Sequence, residues 1–204
     1  MPSRNTLRVD VEHSYYHVYA RGASKQPIFL EPDDFVYFIN LFPRYLSDNQ
    51  QISPTGLPYP HFSAKLQLLA YCLMDNHFHL LFYQVEQGAL ASFMRSLMTS
   101  YSGYFNRKYG RTGSLFESRY KASRIDTPQY LEHISRYIHL NPRYWQRYAY
   151  SSFRYYKQGE EPEWLAPQRI LDIFASRQEY VDFVADYESQ KQIIDELKYE
   201  LADK

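Results

Sequence analysis

The sequence is poor in cysteine and glycine, with one and seven residues among 204, and it carries no formal net charge. A single thiol, Cys72, excludes an internal disulfide framework, and its apolar surroundings predict a buried, unreactive side chain. No segment reaches the roughly 18 consecutive apolar residues of a membrane span, and the N-terminus lacks the apolar region of a signal peptide. We therefore expect a soluble, cytoplasmic protein without membrane contacts.

The zero net charge conceals an uneven distribution along the chain. Residues 1–100 contain 7 basic and 8 acidic side chains, residues 101–157 contain 11 and 3, and residues 158–204 contain 5 and 12. A basic middle segment favours a polyanionic partner, although an unevenly charged solvated surface is the alternative. We hypothesise that the acidic final segment lies near the basic region and limits access to it.

Hydrophobic periodicity predicts alternating strands and helices. Strands are expected over 15–20, 65–74 and 77–85, with a further strand at the end of 111–125, and helices over 31–46, 87–109, 127–140, 166–175 and 177–200. Asp75-Asn76 is a two-residue connection typical of an antiparallel hairpin. The order predicts an α+β domain over 1–157, an antiparallel sheet with helices packed on one face, and an acidic helical C-terminal tail over 158–204.

The segment His77-Phe78-His79 places two imidazoles two residues apart in a predicted strand. Successive side chains of a strand point to opposite faces, so both histidines project from one face while Phe78 points into a core. This arrangement suits a pair of metal ligands. The spacing alone nevertheless favours two partly buried structural histidines over a metal site.

The predicted helix over 127–140 aligns His133, Tyr137 and Asn141 at four-residue intervals on one face. Two imidazoles and a carboxamide oxygen make a neutral site suited to Mg²⁺ or Mn²⁺, whereas zinc would usually recruit a thiolate or another imidazole. A tyrosine beside such an ion can attack a phosphodiester and form a phosphotyrosine. His133 would orient Tyr137, accept its proton or support the ligands; alternatively, Tyr137 is one of many tyrosines at a core edge.

Basic and aromatic residues alternate in the middle of the chain. Single-strand binders combine cations that follow the phosphates with aromatic rings that stack on bases. Some of these aromatics, Phe105 and Phe116 first, are expected in the core instead. The candidate DNA-binding residues are Arg21, Arg107, Lys108, Arg111, Arg119, Tyr120 and Lys121.

Four ordered stretches resemble one known family: YYHVYARG, AYCLMDNHFHLLF, YFNRKYGRTGSLFESRYKASRI and YLEHISRYIHLNP. The chain resembles the REP-associated tyrosine transposases among the HUH single-tyrosine transposases. The resemblance implies a ferredoxin-like (RRM-like) HUH nuclease fold, with His77, His79 and Asn141 as ligands of Mg²⁺ or Mn²⁺ and Tyr137 as nucleophile. The chain departs from many of these relatives at Ala20, where they have Asn, and at Glu117, where they have Gln.

Family members cleave single-stranded DNA, often beside a hairpin, and leave a 5′-phosphotyrosine and a free 3′-OH. The resemblance therefore implies a single-stranded or hairpin DNA partner, a nucleoid-associated location and action as a monomer or a homodimer. Two alternatives stay open: a catalytically silent regulator that binds hairpin DNA on the same fold, and a metal-dependent phosphodiesterase that uses water as the nucleophile.

Overall fold

The computed structural model describes residues 10–186, which form a four-stranded antiparallel sheet of order β2-β3-β1-β4 flanked by helices. The strands are β1 Ser14–Arg21, β2 Leu66–Met74, β3 His77–Gln84 and β4 Lys121–Ile125. The helices are α1 Pro32–Leu46, α2 Ala89–Lys108, α3 Pro128–Leu140, α4 Phe153–Gln158, α5 Gln168–Leu171 and α6 Arg177–Ala185. The predicted α+β class and antiparallel sheet are confirmed.

The predicted hairpin between β2 and β3 is present, with Met74 paired to His77 across the Asp75-Asn76 turn. The turn is anchored from outside, because the Ile28 amide donates to the Asp75 carbonyl at 2.7 Å and the Gly22 amide donates to the Asn76 carbonyl at 2.8 Å. The start of β3, where His77 lies, is thus tied to the end of β1.

Helices cover both faces of the sheet, so the prediction that they pack on one face is wrong. Phe78, Leu80 and Phe82 of β3 pack with α1 and α2, whereas Leu81 packs on the opposite face with α3. The two central strands are therefore buried on both sides. Unbroken apolar runs, rather than apolar and polar alternation, are typical of strands in that position.

Helix α3 begins as predicted, with Thr127 as its N-cap: the Thr127 hydroxyl accepts a hydrogen bond from the Tyr130 amide at 3.3 Å. Pro128 occupies the first turn, where its missing amide proton is not needed. Ile134 and Ile138 are fully buried against the sheet. These contacts set the rotation of α3 over the histidine-bearing face of the sheet.

The C-terminal helices pack onto α3 and the same sheet face. Tyr180 and Val184 of α6 are fully buried in this core. The predicted helix over 166–175 corresponds to the shorter α5, and α4 is a helix that the sequence pattern does not predict. The predicted helix over 177–200 corresponds to α6, which ends at Ala185, and residues 187–200 lie outside the described part of the chain. Within residues 10–186, no helix is long and apolar enough to cross a membrane.

Candidate active site on the histidine-bearing face

Two cations flank the histidines of β3 on the sheet face that α3 covers. Arg21 of β1 is the cross-strand partner of His77, and Tyr19 is the partner of His79. Lys121 of β4 pairs with Tyr19 from the other side and holds its ammonium 5.6 Å from the centre of that ring. Directly paired residues share a face, so Arg21, Lys121 and both imidazoles line the same surface.

His77 connects the hairpin to the end of α3. Its Nδ1 lies 2.6 Å from the Asn76 Oδ1, and its Nε2 lies 3.3 Å from the Oδ1 of Asn141, which ends α3. An amide oxygen only accepts hydrogen bonds, so Asn76 fixes the imidazole proton on Nδ1 and leaves a lone pair on Nε2. The Nε2 lone pair then faces a second acceptor, Asn141, across a gap that suits a shared cation.

His79 is buried beside a third imidazole, His17 of β1. Their rings stack with centroids 5.1 Å apart, and His17 Nε2 lies 3.0 Å from His79 Nδ1. Burial, and then the electrostatic influence of His77, lowers the pKa of His79. Burial lowers the pKa of His17 to about 3. Both rings are therefore neutral near pH 7, the protonation state in which imidazole nitrogen can bind a metal.

Tyr137 of α3 lies edge-on to these two rings. Its ring centroid is 5.3 Å from that of His79 and 6.1 Å from that of His17. Four residues further along α3, Asn141 contacts His77. One helix of the same chain thus brings a phenol and a carboxamide to the pair of histidines on β3.

The donors present fit a hard divalent ion. The His79 Nε2 is buried and has no hydrogen-bond partner among the described residues, and the His77 Nε2 and Asn141 Oδ1 are neighbouring acceptors. Two nitrogens and one oxygen leave open positions for water or phosphate, as Mg²⁺ and Mn²⁺ sites do. Within residues 10–186 no cluster of three or more histidine, cysteine or acidic residues is placed to hold a metal, so an ion held by the two histidines would take Asn141 as its third donor.

Comparison with known proteins gives a family match over the segment that carries this geometry. The model of the family "Transposase IS200 like" matches residues 62–141, from the approach to β2 through Asn141. This segment of the chain is similar to the IS200-like transposases. No match is found among curated proteins.

A solved structure is similar in fold to this chain. It is a REP-associated tyrosine transposase bound to a REP hairpin, with a TM-score of 0.53 and 16% sequence identity, and the match covers 81% of this chain and 92% of that chain. The similarity extends beyond residues 62–141 and therefore includes elements on either side of the family match.

His133, the other candidate on α3, has a different environment from Tyr137. Its ring contacts Phe183 of α6 with centroids 5.8 Å apart, and its Nδ1 is buried without a hydrogen-bond partner among the described residues. Burial, and then the charge of Arg136, lowers its pKa. The contacts found for His133 join α3 to α6 and do not include the imidazoles of the sheet.

A cleft of about 820 Å³ opens between α2 and the segment before β4, on the opposite side of the sheet from Tyr137. Arg119 and Tyr120, both predicted DNA contacts, line it together with Arg95, which the sequence pattern did not single out. Neither arginine has an ion-pair partner within residues 10–186. The Asp10 carboxylate also lies at the cleft, where it accepts a hydrogen bond from the Gln84 side-chain amide. The cleft thus offers two guanidinium groups beside an aromatic ring.

Lys108, a predicted DNA contact, is engaged in a network at the start of α1. Its Nζ lies 2.8 Å from Asp34 Oδ1 and 2.7 Å from Glu31 Oε1. Arg111 places its guanidinium 5.6 Å from the centre of the Phe105 ring, and Arg107 is exposed near the end of α2. Of these three cations, Arg107 is the most accessible to a phosphate.

Proposed function

We propose that this protein is a divalent-metal-dependent endonuclease and strand transferase that cuts single-stranded DNA beside hairpins, with Tyr137 as the nucleophile. The observation that carries the proposal is the position of α3, which brings Tyr137 to His79 and Asn141 to His77. The IS200-like family match and the similarity to a transposase bound to a REP hairpin support a substrate of this kind.

The proposed reaction is a transesterification. The Tyr137 oxygen attacks phosphorus and forms a new O–P bond as the bond from phosphorus to the 3′ oxygen breaks. The phenolic proton passes to water, and the departing 3′ oxygen takes up a proton to become a hydroxyl. A 3′-OH can later attack the phosphotyrosine and restore both the diester and Tyr137.

The residues around Tyr137 divide the remaining tasks. His77, His79 and Asn141 would hold Mg²⁺ or Mn²⁺, which supplies charge neutralisation at the phosphoryl oxygens when bound. Arg21 and Lys121, one on each side of the imidazole pair, would bind neighbouring phosphates and orient the strand. His133 is a candidate for positioning Tyr137 through α3, because it lies one helical turn away.

The cleft beside α2 would hold nucleotides of the hairpin-bearing DNA. Arg95 and Arg119 offer two cations to phosphates, and Tyr120 offers a ring for an unpaired base. The cleft and Tyr137 lie on opposite sides of the sheet, so DNA recognition and cleavage would use different surfaces.

A covalent adduct is the direct test. Labelled single-stranded DNA that carries a hairpin is incubated with the protein and Mg²⁺ or Mn²⁺, and products are resolved on denaturing gels. We expect an adduct with the unaltered protein, none with Tyr137→Phe, and an unchanged adduct with Tyr144→Phe, which alters an exposed tyrosine of the same chain. Cleavage that survives Tyr137→Phe would instead support attack by water.

A hairpin-binding regulator without catalysis is the second candidate, and the burial of Tyr137 favours it. Only 3% of this side chain is exposed, so DNA must displace neighbouring groups before the phenol can reach a phosphate. Binding of hairpin DNA with no adduct and no cleavage under either metal would support the regulator.

A further inference from the structure

A third imidazole accompanies the two histidines of β3 and has no role in the reaction proposed above. His17 lies in the middle of β1, is fully buried, and stacks on His79 with an angle of 12° between the ring planes. Its position is diagonal to His79, since Val18 pairs with Leu80 and Tyr19 pairs with His79. The contact is therefore set by the register of the two central strands.

The two histidines of β3 have similar arrangements around Nδ1. The Nδ1 of His77 lies 2.6 Å from the Asn76 Oδ1, and the Nδ1 of His79 lies 3.0 Å from the Nε2 of His17. The other ring nitrogen, Nε2, lies near the Asn141 Oδ1 in His77 and has no hydrogen-bond partner among the described residues in His79. Metal-binding histidines commonly donate a hydrogen bond from the nitrogen that does not bind the metal, which fixes the tautomer and the ring orientation.

A neutral imidazole carries one N–H, so the hydrogen bond between His17 and His79 has two possible directions. If His79 Nδ1 donates, its Nε2 keeps a lone pair; if His17 Nε2 donates, the His79 Nε2 carries a proton and cannot bind a metal. Only the first direction gives His79 the same tautomer that Asn76 imposes on His77.

We propose that His17 is a positioning residue that accepts the Nδ1 proton of His79 and so presents the His79 Nε2 lone pair to a divalent ion. This inference rests on the proposed function, which makes His79 a ligand. His17 acts through His79 and is not itself a ligand, because its Nε2 is occupied by the His79 Nδ1.

Packing alone does not account for an imidazole at this position. The His17 Nδ1 is buried and has no hydrogen-bond partner within residues 10–186, an arrangement that costs free energy in a folded protein. A phenylalanine would fill a similar volume without an unpaired polar atom. The polar atom that does find a partner is the Nε2, and that partner is His79.

Two substitutions separate the hydrogen bond from the packing. His17→Gln can place a carbonyl oxygen near the position of the imidazole Nε2 and retains an acceptor, whereas His17→Phe keeps a ring and removes it. We expect Mn²⁺ affinity, measured by electron paramagnetic resonance on the full chain without DNA, to fall by about 10- to 100-fold in His17→Phe. His17→Gln should stay within a few-fold of the unaltered protein.

Equal Mn²⁺ affinity in all three proteins, or equal losses in both variants, would overturn the role of His17. Absence of Mn²⁺ binding by the unaltered protein would instead overturn the metal-dependent function on which the inference rests. Thermal unfolding in EDTA checks that each variant is folded before its affinity is compared.

The tautomer of His79 in the unaltered protein provides a test that does not depend on any variant. Nitrogen-15 correlation spectra of the metal-free chain at pH 7 distinguish a protonated Nδ1 from a protonated Nε2. We expect the proton of His79 on Nδ1. A proton on Nε2 would overturn the proposal even if every variant failed to fold.

Discussion

His139 Nδ1 lies 2.7 Å from the Tyr180 hydroxyl and joins α3 to α6 inside the core. The other ring nitrogen, Nε2, lies 2.8 Å from the Ser152 hydroxyl. His139 follows Tyr137 by two residues, so this contact also restrains the helix that carries the proposed nucleophile. The C-terminal helices thus contribute to the placement of the candidate active site.

The buried histidines predict a loss of stability in acid. Burial lowers the pKa of His139 from 6.5 to about 3, so between these values the unfolded chain binds a proton that the folded chain does not. The free energy of unfolding should therefore fall as pH decreases from about 6.5 towards 3, by ~1.4 kcal/mol per pH unit for each such histidine. Urea titrations between pH 7.5 and 4.5 measure this slope. His139→Gln should reduce this slope by ~1.4 kcal/mol per pH unit. An unchanged slope would contradict the lowered pKa of His139.

Asn141 is predicted to contribute to metal binding and not to DNA binding. Asn141→Ala removes the oxygen near His77 but leaves Tyr137 and the cations in place. We expect hairpin DNA affinity to remain within about twofold, while the metal concentration needed for adduct formation rises at least ~10-fold. A metal titration of adduct yield and a fluorescence anisotropy assay measure the two effects. Equal loss of both would indicate a general disruption of α3.

Lys108 is predicted to stabilise the fold more than it binds DNA. Asp34, fully buried, accepts from the Leu30 amide as well as from Lys108. Burial raises the pKa of Asp34, but the hydrogen bonds from Lys108 and Leu30 outweigh it and lower the pKa overall. Asp34→Ala should reduce the free energy of unfolding by about 3 kcal/mol, because it leaves polar groups without their partner. Lys108→Met should lower the melting temperature and change DNA affinity little; the reverse result would restore Lys108 as a DNA contact.

The two arginines of the cleft are predicted to bind phosphates. Arg95→Met and Arg119→Met should each weaken hairpin DNA binding and reduce the salt dependence of affinity by about one phosphate contact. Binding curves at salt concentrations from about 50 to about 200 mM give the slope of log affinity against log salt. Lys157→Met, which alters an exposed cation of α4 on the other side of the sheet, serves as the matched control. Equal slopes for all three variants would exclude the cleft as a DNA site.

The acidic tail is predicted to limit DNA binding. Removal of all residues from 160 onward would expose the core, since Ile170, Leu171 and Tyr180 are buried. A deletion of 187–204 avoids this and removes five acidic and three basic side chains, a net loss of two negative charges. We expect tighter binding of single-stranded DNA at low salt, measured beside the full chain; unchanged or weaker binding would remove the hypothesis.

Local signals predicted a large part of this structure. The Asp75-Asn76 turn, the Thr127 N-cap and the positions of the main strands and helices follow from adjacent residues, and His77, Tyr137 and Asn141 do approach one another. The role of His17 could not be predicted in this way, because its contact with His79 depends on the pairing of β1 with β3. The sequence shows no partner for it at short spacing.

Long-range contacts also explain the other differences between the sequence-based predictions and the structure. The pattern of basic and aromatic residues predicts a DNA contact for Lys108. Its ion pair with Asp34 does not show in that pattern, because Asp34 lies in another helix, distant in sequence. The helices were placed on one face although the segment Leu68–Leu73 is continuously apolar. Such a run is typical of a strand covered on both sides.

Arg119, Tyr120 and Lys121 follow one another in the chain, yet the first two line the cleft beside α2 while Lys121 joins the imidazoles on the other face. If both surfaces hold DNA as proposed, one strand must run around the β4 edge from the cleft to Tyr137. The length of that route would be constant. The cleavage site would then lie a fixed number of nucleotides from the base of the hairpin.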